Sequence, residues 1–148
     1  MLEKKKAITV LIFNDSGDLL LQLRAAHDDS FPAHWDFSVG GGIDADEEPE
    51  TSAKRELMEE LGVQGLALTH VRHETFRYPA WGDGHPREVE NFIYKTRYEG
   101  PFAPNPKEVT EVRFFKLSEI EEMATSGGKL HPELVLALKQ GIIAEAAR

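Results

Sequence analysis

Three consecutive glycines, Gly40, Gly41 and Gly42, stand between a short alternating segment, Trp35-Asp36-Phe37-Ser38-Val39, and a stretch with clear helix boundaries, Pro49 to Leu61. The alternation of large apolar with small polar residues predicts a short strand, and the glycines permit backbone conformations that other residues resist, so the strand ends in a glycine loop. Pro49 suits the first helical position, Glu50 favours the positive end of the helix dipole, and Gly62 supplies a C-terminal stop. Strand, glycine loop and helix in that order point to a chain that mixes sheet and helix.

The flanking segments extend that pattern. Ala7 to Phe13 is β-rich and nearly all apolar, Asn14-Asp15-Ser16-Gly17 punctuates it, and Asp18 to Arg24 resumes it, which reads as a hairpin with buried strands. Val63 to Tyr78 and Glu88 to Tyr98 read as strands around the turn-rich run Pro79 to Pro86, and Val112 to Leu117 as a further short strand. Ser118 to Met123 and Pro132 to Ala147 read as helices, the first with the Ser118/Glu121 spacing of a capping box, the second with Leu134, Leu138 and Ile142 four apart. Strands interspersed with helices, without a repeated βαβ period, predict an α/β fold with a mixed β-sheet covered by helices, and a length of 148 residues predicts a single domain, 1–148.

Composition removes several chemistries. There is no cysteine, hence no disulfide, thiolate zinc site or cysteine nucleophile, and the formal net charge of −9 argues against a nucleic-acid backbone as partner. No apolar run approaches the length of a membrane span, and the N-terminal residues lack the form of a signal peptide, so a soluble cytoplasmic protein is expected. Carboxylates, histidines and backbone remain to do chemistry. The six histidines have no paired ligand spacing and read as surface or capping residues.

On the helix from Pro49 to Leu61 residues turn by about 100° each, so Glu56, Glu59 and Glu60 share one face and Leu57, Met58 and Leu61 another. Such like-charge neighbours repel. Two readings stand at this point: a solvated acidic face, or a set of hard oxygen ligands for a divalent cation such as Mg²⁺ or Mn²⁺.

From Gly41 the chain runs Gly41, five residues, Glu47, seven residues, then Arg55-Glu56-Leu57-Met58-Glu59-Glu60-Leu61-Gly62-Val63. This run resembles the Nudix box without departure at any fixed position, and the order of elements around it is similar to the Nudix α/β/α sandwich. The resemblance implies a metal-dependent hydrolase that cleaves a diphosphate linkage in a nucleoside diphosphate derivative by water attack at phosphorus, a pyrophosphohydrolase with Mg²⁺ or Mn²⁺ as cofactor. It further implies Glu56, Glu59 and Glu60 as metal ligands with the carbonyl of Gly41, Glu56 or a loop glutamate as the group orienting water, and Arg55 as the residue that positions Glu59 or Glu47. Electrostatics agrees: a polyanionic substrate meeting a chain of net charge −9 needs cations between them.

Outside the box, Arg24 occupies a place where Nudix proteins often carry a phosphate-contacting base. Glu88 and Glu90 share one face of a strand, while Glu108 and Glu111 precede the last strand, where such proteins place an extra acid; Glu90 and Glu108 are taken forward as substrate contacts. Phe37, Trp81 and Tyr94 are aromatic candidates for stacking a base, and Trp81, in a glycine-rich loop, is preferred. For each of these the plainer alternative is a solvated face or a core position. The Trp35 to Gly42 run, the Glu88-x-Glu90 pair and the C-terminal helix also resemble the branch containing isopentenyl-diphosphate isomerase. Where that branch carries a catalytic Cys and a metal-binding His, this chain has Gly40 and Gly42, so isomerisation is not expected. The alternative to a hydrolase is a non-catalytic nucleotide-sensing Nudix module. The expected partner is a small nucleotide or other diphosphate, without membrane or nucleic acid. Monomer and homodimer are both compatible with the sequence.

Overall fold

The computed structural model describes residues 2–148. Its strands are β1 (Glu3–Phe13), β2 (Leu19–Arg24), β3 (Trp35–Asp36), β4 (Val39–Gly42), β5 (Thr69–Pro79), β6 (Pro86–Arg97) and β7 (Val109–Phe115). Its helices are α1 (Pro49–Leu61), α2 (Leu117–Thr125), α3 (Pro132–Lys139) and α4 (Ile142–Ala146). One seven-stranded sheet runs in the order β3-β2-β1-β6-β5, with β4 added to β1 and β7 to β2. The sheet is mixed, because β1 lies parallel to β6 while its other pairings are antiparallel. Among the described residues no helix is long and apolar enough to cross a membrane.

Each face of the sheet buries its own core, as the period of two along β1 requires. Ile8, Val10 and Ile12 pack with Ala53, Leu57 and Leu61 of α1, whereas Leu11 and Phe13 pack with Ile120, Leu134, Ala137 and Ile142 of α2, α3 and α4. Leu57 and Leu61 are fully enclosed, each contributing about 1.5–3 kcal/mol by burial, so the apolar stripe of α1 fixes which way its acids point. Pro49 stands in the first turn of α1. Gly62 ends it in the left-handed conformation, φ 67°, with its N–H donating to the carbonyls of Leu57 and Met58.

Several boundaries differ from the sequence expectation. The β1/β2 hairpin is paired only at Phe13 and Leu19; β2 spends most of its ladder on β7 and β1 is taken up by β4 and β6. Residues 63–68 precede β5 rather than open it, and β7 begins three residues earlier than Val112. At the start of α2 the Lys116 N–H donates to Glu119 Oε1 at 2.8 Å, and the expected Ser118/Glu121 box does not form because the helix starts at Leu117. The C-terminal helix is two helices, broken where Gly141 takes φ 76°.

Candidate active site

The acids of α1 are sorted by burial. Glu60 is 4% exposed, its Oε1 accepting 2.7 Å from Gln22 Nε2, and Gln22 is itself anchored to the Ser38 carbonyl at 3.1 Å. Burial, and next the adjacent Glu56 carboxylate, push the Glu60 carboxyl well above the usual range. Glu56 lies against the backbone of Gly41, where any Cβ would come within 2.5 Å of Glu56 Oε2. A Cβ at 41 would push the Glu56 carboxylate aside, so glycine there keeps backbone and carboxylate in close approach; the expected glycine loop is instead strand β4, and none of Gly40, Gly41 and Gly42 has a positive φ. Glu59 is half exposed on the same side of the helix.

Arg55 ties this face together. Its guanidinium donates to Glu47, to Glu56 at 2.7 Å, to Glu59 at 3.1 Å and to the Gly42 carbonyl at 3.2 Å, so it links the loop, the glycine run and the helix. Hydrogen bonds from Arg55 and Ser52 hold the Glu47 carboxyl down at about 2, and the same contact with Glu47 keeps Arg55 firmly protonated. The expectation that Arg55 positions Glu47 or Glu59 thus agrees with its geometry, with Glu56 added. Glu108, just before β7, comes close enough to Glu56 and Glu59 that partial burial and their charges raise its own pKa. Glu111 turns instead to Arg113 on the exposed side of β7.

Among the described residues no three acidic or histidine side chains converge as they stand on one point. The donor set nonetheless fits a hard cation: two carboxylates, Glu56 and Glu60, lie together in a partly dry site beside a glycine backbone, where carboxylate oxygens and a backbone carbonyl are the ligands such a cation takes. Glu59 would join them on leaving Arg55.

Beside these acids opens a cleft of about 310 Å³. It reaches the acids through Gln22 and Gly41, is floored by Thr9 of β1 and by Val89 and Asn91 of β6, and is walled by Asp36, His131 and Glu133. Arg24 lines it but is engaged locally, by the Ser30 carbonyl at 2.8 Å, Asp28 at 3.2 Å and Asp36 at 3.0 Å. Phe37 lines it from a buried position, and Tyr94 belongs to the core under α1.

Two sequence candidates lie elsewhere. Glu90 is on the opposite face of β6 from Val89 and Asn91 and pairs with His73 at 2.9 Å, as its neighbour Glu88 pairs with Arg77 at 2.8 Å; the strand's alternation separates both from the cleft. Trp81, 46% exposed, packs on Phe31 and His34 outside the cleft lining, so its loop position reflects a surface aromatic cluster. Conversely Gln22, Thr9, Asn91 and Glu133 were not anticipated. Their one signal in the sequence is a lone polar residue inside an apolar strand or helix stripe.

The NUDIX domain family model matches residues 3–136. The chain belongs to the Nudix hydrolase family. It is 30% identical over 107 residues to the uncharacterized Nudix hydrolase PA4841 of Pseudomonas aeruginosa, covering 72% of this chain and 60% of that protein. It is 27% identical over 117 residues to an isopentenyl-diphosphate Delta-isomerase of Streptomyces avermitilis, covering 79% of this chain and 59% of that one. The chain thus spans about three fifths of these relatives. In fold it is similar to the crystal structure of DR0079 from Deinococcus radiodurans, with a TM-score of 0.78 at 18% identity, over 97% of this chain and 83% of that one. Within this Nudix chain the box residues are the acids and the glycine just described.

Proposed function

We propose that this Nudix chain is a hydrolase dependent on Mg²⁺ or Mn²⁺ that cleaves the diphosphate linkage of a nucleoside diphosphate derivative. The observation that carries the reading is the buried Glu60 beside Glu56, in contact with Gln22 and Gly41, two residues that line a cleft. A structural salt bridge would place a cation side chain between such acids; here Arg55 reaches Glu56 and Glu59, while Glu60 is left to Gln22. When bound, the divalent cation supplies Lewis-acid charge for the diphosphate oxygens. Glu56, Glu59, Glu60 and the Gly41 carbonyl would hold it. Arg55 would keep Glu56 and Glu59 aimed, Gln22 would hold the Glu60 carboxylate in one orientation, and Glu56 or Glu108 would accept the proton of the attacking water. Arg24 would steady the wall of the cleft beside the substrate.

Isomerase chemistry is not proposed despite the relative of that name, since Gly40 and Gly42 offer no side chain to move a proton. The test is phosphate release, with pyrophosphatase present, from nucleoside triphosphates, dinucleotides, nucleotide sugars and coenzymes, with Mg²⁺, with Mn²⁺ and with EDTA. Release that requires the metal and is lost in Glu60→Gln is the expected result. Binding of nucleotide without turnover would favour a sensing module instead.

A further inference from the structure

The cleft beside the acids occupies one end of a sheet face whose other end carries charge of the opposite sign. Strand β6 alternates, so Lys95 and Arg97 share the face that holds Val89, Asn91 and Ile93. Arg97 pairs in register with Phe13, five residues along both strands from the Ile8/Phe92 level at which Gly41 joins the sheet, a separation of about 16 Å. Leu11, Ile93, Ile142 and Ala146 belong to the core cluster on that face between the two ends.

At this far end, beside the end of α4, lies a cavity of about 330 Å³ lined by Lys95, Arg97 and Arg148, and it shares no lining residue with the cleft beside the acids. No carboxylate side chain lines it, in a chain with 26 acids against 17 Lys and Arg. Acids of the adjoining segments are engaged elsewhere. Asp18 accepts from Asn14 Nδ2 at 3.3 Å, Glu99 accepts from the Asp15 N–H, and Glu145 pairs with Arg72 at 3.0 Å.

The three cations divide in two. Lys95 is half-buried and donates to the carbonyls of Ala146 at 3.0 Å and Arg148 at 3.3 Å, as a basic side chain does at a helix C-terminus, so its charge is committed to holding the end of α4 on the sheet. Arg24, Arg55, Arg72, Arg77 and Arg113 are each paired with a carboxylate. Among the described residues Arg97 and Arg148 pair with none, and both are exposed. Unpaired cations gathered away from the acids of a chain of net charge −9 make a local positive potential. A guanidinium presents parallel N–H donors that match the oxygens of a phosphate, the Thr69 hydroxyl in the lining adds a further donor, and the volume is at the lower end for small-molecule sites.

We propose that this cavity is a second anion site, separate from the α1 acids, that binds a phosphate group, free or as the ester of a small molecule, through Arg97 and Arg148. The assignment does not depend on the hydrolase reading.

The test is calorimetric titration of inorganic phosphate and glycerol 3-phosphate into the full chain in EDTA at low ionic strength, with acetate as a singly charged control. Without a divalent cation the α1 acids repel anions and do not contribute. Phosphate is expected to bind at one site with a Kd of about 1 mM or tighter, and acetate at least about tenfold more weakly. Arg97→Ala and Arg148→Ala should each weaken phosphate at least about tenfold, with the melting temperature unchanged because both side chains are exposed and unpaired. Arg87→Ala, in the cleft beside the acids, should leave phosphate affinity unchanged. Equal affinity for glycerol 3-phosphate supports the site and assigns it to an ester; affinity for inorganic phosphate alone supports the site and assigns it to the free ion. No saturable binding, binding untouched in both Arg97→Ala and Arg148→Ala, or binding lost in Arg87→Ala overturns the assignment. No turnover is read, so failure of the hydrolase reading leaves this result untouched.

Discussion

The α1 acids and the cleft floor beside them are opposite solutions to burying polarity. On α1 and in the loop before it like charges are crowded, yet Glu47, Glu56 and Glu59 each have a partner in Arg55, and Glu60 has Gln22. On the floor the groups are mostly neutral and well separated along β1 and β6, and Thr9 and Asn91 are closed in by the strands around them. One Arg55 guanidinium is shared among three carboxylates, so the acids outnumber their cation, whereas the floor carries no such charge. The first arrangement fits a cation, and Gly41 and Gln22 stand where the two regions meet.

The comparison breaks most decisively at Glu60. Glu60→Gln keeps shape and the capacity to bond with Gln22 but removes the charge, so turnover should fall by at least about a hundredfold while the fold is kept, read by steady-state kinetics beside circular dichroism. Equal activity of variant and wild type would sink the metal reading. Gly41→Ala comes next. Its Cβ must displace the Glu56 carboxylate, and the concentration of Mg²⁺ or Mn²⁺ needed for half-maximal activity should rise at least about tenfold.

The titration of Glu60 sharpens the contrast further. Its folded pKa lies above the unfolded value, so the protonated form stabilises the fold fully at pH below about 4.5, and that contribution is lost as pH rises through the folded pKa. In EDTA the melting temperature should therefore decline from weakly acid toward neutral pH by more in wild type than in Glu60→Gln. Added Mg²⁺ or Mn²⁺ should reverse most of the decline, since a cation that binds the ionised pair stabilises the native state. A wild-type slope no steeper than that of Glu60→Gln would show that Glu60 is not the group responsible.

The smallest effects lie at the margins. Arg24→Ala should raise KM severalfold with a lesser change in kcat, because Arg24 holds Ser30 and Asp36 at the wall of the cleft rather than meeting the α1 acids. Glu90→Gln and Trp81→Ala should leave both constants within about twofold of wild type, given their distance from the cleft lining. A large kinetic effect of either would return those residues to the site.

What was legible in the sequence was what depends on local spacing. The bounds of α1, the common face of Glu56, Glu59 and Glu60 and the pairing of Arg55 with Glu47 and Glu59 follow from residues within one turn or one loop of each other, where helix geometry leaves little freedom, whereas the glycine run expected as a loop is strand β4 because it pairs with the distant β1. The mixed sheet and its helical layers were likewise readable from the order of the segments. Which distant residues join the acids was decided only by tertiary structure. Along β6 the alternation makes two sets, Arg87, Val89 and Asn91 on one face and Glu88 and Glu90 on the other, and nothing local says which face the cleft will occupy. That choice was made by β6 lying parallel beside β1 and by α3 bringing Glu133 against Asn91. The same packing brought Glu108 to the acids and left Glu90 with His73, because proximity between segments far apart in the chain is a property of the sheet order and not of either segment alone.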